Sequence, residues 1–314
     1  MKRLYNLEQK LKLPSRIDPL FLPDHSDYQL FIKREDLIHP FISGNKWRKL
    51  KYNLKHFLES NYDEIVSVGG PFSNHLVALA VACFELKIPC SAIVRGQKID
   101  ENNPTLKLCR KYGLKLIPVS HDNYARRNNS EFISTQFSFS NPYFIPEGGS
   151  NDKHDSGCEE MLNEIDISPD FIVLPIGTGG TMAAFCQSDC ESIIVGISPF
   201  REGKVDIPFL SRIEAPHMLL YDYAMNGYGR YNKEMVNYIN SFWKKFEIPL
   251  DPIYNAKGMM ALESLLSQRY FPVNSKILYI HTGGLQGIKG FNYIHNKKSI
   301  IKIPHNIYFP EADR

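Results

Sequence analysis

No stretch of this sequence approaches the roughly 18 consecutive apolar residues that a membrane-spanning helix requires, so no span is expected. Lys2 and Arg3 stand at the start without an apolar run behind them, which argues against a secretory signal. Charge of one sign is not in excess. The 37 Lys and Arg against 34 Asp and Glu leave a net +3, too little to suggest a nucleic-acid or membrane partner. Cysteine is sparse: Cys83, Cys90, Cys109, Cys158, Cys186 and Cys190. None forms CxxC or pairs with histidine at zinc-finger spacing. Neither a metal centre nor a disulfide framework is expected, and a reduced, cytoplasmic chain is. Repeats, low-complexity tracts and obvious linkers are missing as well.

What is present is the composition of a soluble globular protein, 43% hydrophobic and 23% charged. Its 314 residues suffice for two domains or one large one. Strands are expected at 28–33, 64–68, 91–94, 114–119, 143–146, 171–176, 192–197 and 276–280. Helices are expected after Lys46, from Ser73 onward, and over 103–112, 152–165, 182–187, 231–246 and 257–266. Residues 1–27, with Pro14, Pro19 and Pro23, read as an extended arm. Residues 120–141 read as a loop with a short helix, and 200–230 as irregular. The alternation predicts an α/β fold with a parallel sheet covered on both faces. The turn Gly148-Gly149-Ser150 is a candidate crossing between two α/β units.

Four turns rich in Gly, Ser, Thr and Asn follow expected strands: 69–75, 147–150, 177–181 and 282–284. Open α/β sheets bind ligands at that edge. Gly177-Thr178-Gly179-Gly180-Thr181 is the anion candidate, since glycines admit close backbone approach and the next helix presents free N–H groups. It is not GxxxxGK[ST], and Met182 stands where GxGxxG needs its last glycine. A nucleotide binder or a plain tight turn are the alternatives. In Ser43-Gly44-Asn45-Lys46-Trp47-Arg48-Lys49-Leu50, Lys46 lies at a helix N-terminus. The helix dipole disfavours its charge there, and desolvation would make its amine a nucleophile. The alternative is a surface lysine. Ser73-Asn74-His75 opens a helix with more polar groups than a cap needs. Tyr228 sits between glycines and Tyr254 follows a proline turn, while His281 ends an apolar strand and reads equally as a core histidine.

In combination these motifs resemble the D-cysteine desulfhydrase/1-aminocyclopropane-1-carboxylate deaminase family of pyridoxal-phosphate (PLP) enzymes, within the tryptophan synthase β-subunit superfamily. The similar segments run from Lys33-Arg34-Glu35-Asp36 to His281-Thr282-Gly283-Gly284. The resemblance implies a fold-type II α/β enzyme, with two open, twisted, mostly parallel sheets and PLP in the cleft between domains. Residues 1–48 and 149–314 would form the larger, PLP-binding domain, and 49–148 a smaller inserted one. It implies that Lys46 holds PLP covalently and moves a proton at the substrate Cα. Gly177, Thr178, Gly179, Gly180 and Thr181 would cradle the phosphate, and Asn74 would hydrogen-bond the phenolic oxygen. Ser73, with the backbone of Asn74 and His75, would receive the substrate carboxylate. Tyr228 and Tyr254 would flank the substrate and tune proton transfer or leaving-group departure. Thr282 would face the pyridine nitrogen, where a hydroxyl suits β-elimination better than transamination.

Ring-opening deaminases are similar to one another in a Glu after the second tyrosine and a Leu after the last histidine; here these are Asn255 and Thr282. The triplet is Ser-Asn-His, as in desulfhydrases. The resemblance therefore puts elimination of D-cysteine to pyruvate, sulfide and ammonia first. 1-Aminocyclopropane-1-carboxylate deamination is the alternative, and PLP binding without turnover a further one. A small amino-acid substrate and a homodimer are implied. Trp47, Phe72, Arg230 and Gln286 depart from the family pattern, the first two near the expected cofactor position.

Overall fold

The computed structural model describes residues 1–151, 153–202, 216–225, 227–295 and 300–304. Its strands are β1 (Ile17–Pro19), β2 (Gln29–Lys33), β3 (Glu64–Gly69), β4 (Cys90–Arg95), β5 (Lys115–Val119), β6 (Pro142–Ile145), β7 (Phe171–Pro175), β8 (Ile193–Ile197), β9 (His217–Leu220) and β10 (Lys276–Ile280). Its helices are α1 (Lys2–Glu8), α2 (Asn45–Glu59), α3 (Asn74–Leu86), α4 (Pro104–Lys111), α5 (His121–Ala125), α6 (Ser130–Gln136), α7 (His154–Asn163), α8 (Gly180–Gln187), α9 (Lys233–Phe246), α10 (Asn255–Ser267) and α11 (Gly287–Ile294). Among the described residues, no helix is long and apolar enough to cross a membrane.

The strands make two sheets. One has the order β1-β2-β10-β7-β8-β9, parallel except for β1; the other, β5-β4-β3-β6, is parallel throughout. Central strands such as β7 are buried along their whole length, as helices on both faces require. Helix α3 is apolar nearly all round and buried, and Ser73 caps it by accepting from the Leu76 N–H. Helix α9 is amphipathic, with Met235, Ile239 and Phe242 inward and Asn232 as its cap.

This topology sets what the site can be built from. Neighbouring strands β2, β10 and β7 end at the Lys46 loop, the 281–284 turn and the 177–181 loop. Neighbours β3 and β6 end at 69–75 and 147–150. The two carboxyl edges meet where Ser150 and Thr178 hydroxyls lie 2.7 Å apart.

All eight expected strands form, each within a residue of its expected bounds. Several other expectations need correction. The N-terminal arm begins with α1, whose Leu4 and Leu7 are buried together with Leu11. The region 200–230 contains β9, an edge strand paired with β8; its residues 203–215 and 226 lie outside the described ones, as does Asp152 ahead of α7. Helix α11 was not expected. The boundary placed after residue 48 falls inside α2. Trp47 is fully buried in the main core and so does not line a cleft. Phe72 packs against α11, where a Cβ on Gly290 would come within 2.7 Å of its ring.

Candidate active site

Lys46 lies in the first turn of α2. Gly44 caps that helix with φ 62° and no side-chain bond. A Cβ there would lie 1.9 Å from the Thr282 carbonyl oxygen, and one on Gly283 would lie 2.8 Å from Ser43 Oγ. Only glycines allow backbones to approach like this. The Lys46 loop and the turn after β10 are thereby locked together.

Behind Lys46, a buried charge cluster fixes the helix. Arg48 donates to both Glu35 oxygens at 3.0 and 2.8 Å and to both Glu164 oxygens at 2.7 and 2.6 Å. Lys33 donates to Glu164 at 3.1 Å. Burial raises the Glu164 pKa, but the Arg48 hydrogen bonds outweigh it and hold the carboxyl below its usual range. Such a cluster tolerates no missing partner. It presses α2 onto α7 so closely that a Cβ on Gly157 would lie 1.9 Å from the Arg48 carbonyl oxygen.

The Lys46 amine donates to Asn45 Oδ1 at 2.7 Å. Burial, and then the like charge of Lys49, pull its pKa down to about 7. An amine this readily neutral is a competent nucleophile at physiological pH. The same helix reaches the glycine loop: Asn45 Nδ2 donates to Thr181 Oγ1 at 3.4 Å, and Lys49 Nζ donates to Thr178 Oγ1 at 3.3 Å and Ser150 Oγ at 3.1 Å. Gly179, at φ 80°, caps α8 and leaves the first-turn N–H groups without intrahelical partners. Loop, helix end and Lys49 together offer the donors that an anion cradle requires. Sequence reading passed over Lys49, although its i+3 spacing from Lys46 puts both on one helix face.

Across the cleft, Asn74 Oδ1 is buried without a hydrogen-bond partner among the described residues. Its amide faces the turn after β10, where a Cβ on Gly284 would come within 2.7 Å of Nδ2. Ser73 serves as a cap, yet its hydroxyl proton stays available to donate. The His75 ring points inward. Ser67 Oγ donates to the Ile145 carbonyl at 2.7 Å, so it accepts from His75 Nε2–H at 2.8 Å. Burial, with the charges of Lys46 and Lys49, drops the His75 pKa to about 3 and keeps it neutral.

Tyr254 lies against Gly177, where a Cβ would meet its ring at 3.4 Å. Its hydroxyl donates to Tyr228 at 3.4 Å, and the rings meet edge-on at 6.0 Å. Burial raises both phenol pKa values, so both stay protonated. Tyr228, half exposed, also stacks on Phe200 at 4.9 Å. Lys257 steadies its loop by donating to the Ala224 and Gly227 carbonyls at 2.9 and 2.8 Å. Buried Asp251 orients Tyr254 and Asn255 by accepting their N–H groups at 3.0 and 2.8 Å. Asn255 in turn accepts from the Thr282 N–H at 3.1 Å and donates to the Gly283 carbonyl at 2.9 Å. Sequence reading gave neither Lys257 nor Asp251 a role; the Asp-Pro turn before Tyr254 was the available signal for Asp251. His281 donates to the Pro249 carbonyl and accepts from the Gly283 N–H, which makes it a satisfied core histidine.

The residues present fit PLP: an amine poised near neutrality, a cationic glycine cradle beside it, and a buried amide with hydrogen-bonding capacity to spare opposite. Comparison with known proteins agrees. Residues 17–188 match the family described as "Pyridoxal-phosphate dependent enzyme". A Pyrococcus horikoshii protein named "Putative 1-aminocyclopropane-1-carboxylate deaminase" is 30% identical over 281 residues, covering 82% of this chain and 85% of that protein. A 1-aminocyclopropane-1-carboxylate deaminase from Bradyrhizobium sp. (strain BTAi1 / ATCC BAA-1182) is 27% identical over 303 residues, covering 85% and 89%. A crystal structure of an ACC deaminase homologue shares 26% identity at a TM-score of 0.77, over 94% of this chain and 99% of that one. These names lie with the ring-opening alternative rather than with the D-cysteine elimination that sequence reading put first. The chain is a fold-type II PLP-dependent enzyme and belongs to the 1-aminocyclopropane-1-carboxylate deaminase/D-cysteine desulfhydrase family.

Proposed function

We propose that this protein deaminates a small amino acid, breaking a bond to Cβ, and that its substrate is 1-aminocyclopropane-1-carboxylate, converted with water to 2-oxobutyrate and ammonia. The names of the relatives at 27–30% identity support the substrate. The observation that carries the reaction class is the Lys46 amine, with its pKa near 7, on a helix that touches the glycine loop through Asn45 and Lys49.

Bound PLP supplies an electron sink at the carbon bearing the substrate amine. The chain supplies the rest. Lys46 would hold the cofactor and move protons at the substrate. Lys49 and residues 177–181 would hold the phosphate, Asn74 the ring oxygen, and the Thr282 hydroxyl the ring nitrogen. Ser73 and the first N–H groups of α3 orient the substrate carboxylate. Tyr254, kept protonated by burial and paired with Tyr228, delivers a proton on the Cβ side. The smaller sheet closes on the larger about the substrate, and the working form is a homodimer.

A second reading, D-cysteine to pyruvate, sulfide and ammonia, is favoured by Asn255. Its amide is engaged by Thr282, Gly283 and Asp251, so it offers no carboxylate to take a proton from a ring carbon. The distinction is chemical: the cyclopropane Cα carries no hydrogen, whereas the cysteine Cα does. Incubating PLP-loaded protein with each compound separates the two. 2-Oxobutyrate from the cyclopropane supports the first reading. Pyruvate with equimolar sulfide from D-cysteine, and no 2-oxobutyrate, replaces it with the second. No 2-oxo acid from either rejects deamination and leaves PLP binding without turnover.

A further inference from the structure

Away from Lys46, helices α3, α4 and α11 line a half-open cavity of about 470 Å³. Val77, Pro104 and Leu108 give it an apolar wall, while Lys107, Lys111 and Lys289 line its exposed rim. Gln286 also lines it, only 4% exposed, and its Oε1 is buried with no hydrogen-bond partner among the described residues. A buried acceptor left in this state is costly, and a ligand donor would relieve it. The volume falls within the range of small-molecule sites.

We propose that this cavity binds a nucleoside phosphate. Lys107 and Lys111 take the phosphate, the flat base lies on the apolar wall, and an exocyclic amine donates to Gln286 Oε1. An inorganic anion would leave the wall and the buried acceptor unused, and an uncharged nucleoside would leave the Lys107 and Lys111 ammonium groups unused. The position also links this site to the cofactor cleft. Gln286 is the N-cap of α11, on the same short segment as Thr282 and as Gly284, which packs on Asn74. Tyr293 donates to Asp100 at 3.0 Å and ties α11 to the loop before α4. A ligand here bridges an element of the smaller sheet and the helix that follows β10.

The test is calorimetric titration of the PLP-loaded protein with AMP, beside adenosine and inorganic phosphate. One saturable AMP site per chain is expected, roughly tenfold or more tighter than either fragment. The Lys107→Glu/Lys111→Glu double variant should weaken AMP roughly tenfold while its circular dichroism and basal turnover stay unchanged. Gln286→Leu should weaken AMP and adenosine but not phosphate, and AMP should shift the visible cofactor band. Absence of saturable AMP binding, AMP no tighter than phosphate, or affinity indifferent to all three substitutions would each overturn the proposal.

Discussion

The α-carbon of Gly44 lies so close to the carbonyl of Thr282 that a methyl group on it would overlap that oxygen, at 1.9 Å. The lysine loop and the turn proposed to meet the pyridine nitrogen are thus held at fixed separation by a contact without side chains. Gly44→Ala must either distort the 282–284 turn or lift Lys46. Backbone strain at its positive φ alone costs about 1–3 kcal/mol. Both a lowered melting temperature and a weakened visible cofactor band are expected. A variant with wild-type stability and full absorbance would contradict this.

The depressed pKa of Lys46 has a definite sign. Its folded value is about 7 against an ordinary 10.5, so between those values the unfolded chain binds the proton and the folded chain does not. Stability of the cofactor-free protein therefore rises with pH across that window, and the full cost of the buried charge is felt below pH 7. Lys257, lowered by burial to about 8, contributes with the same sign over a narrower range. Urea titrations at stepped pH should show the rise, and Lys46→Met should flatten it without abolishing it. Uptake of PLP should likewise accelerate up to about pH 7 and then level off.

Arg48 anchors the helix that carries the reactive amine. Arg48→Met strands Glu35 and Glu164 without their principal cation, at an expected cost of about 3–5 kcal/mol. Adding Glu35→Gln should recover part of this, and a double-mutant cycle measures the coupling. Additive losses would mean that the cluster does not act as one unit.

Lys257 holds the loop that presents Tyr228. Lys257→Met removes two bonds to backbone carbonyls and frees the exposed tyrosine from Tyr254. If the pair delivers a proton, kcat should fall by about tenfold or more while KM changes less. A pure KM effect would assign the pair to binding.

Much of this architecture was legible because strands buried on both faces read as short apolar runs, as 64–69 and 171–175 do. Of the elements that escaped, three did so for evident physical reasons. Leu4, Leu7 and Leu11 have helical spacing, but the prolines that follow drew the whole segment toward an extended reading. Strand β9 is short, at an edge and half-buried, and owes its form to pairing with β8 rather than to its own pattern. Helix α11 contains Gly287 and Gly290, poor helix formers, and exists because Ile288 and Phe291 are buried and Gly290 admits the Phe72 ring. In the site, spacing and turn chemistry exposed Lys46, Ser73, Asn74 and the glycine loop. Lys49 and Lys257 act through contacts between segments remote in sequence, which no local pattern records, whereas Asp251 holds its own Asp-Pro turn by bonds to residues two to four positions on.

Lys49 reaches hydroxyls from both sheets, Thr178 on one and Ser150 on the other. An anion seated beside that ammonium is therefore a rivet as well as a passenger. One lysine would then tie the anion, the glycine loop and the seam between the sheets together. Cofactor retention and the rigidity of the whole molecule become a single quantity, and a bare phosphate ion, with no chemistry of its own, should already stiffen the empty protein against heat.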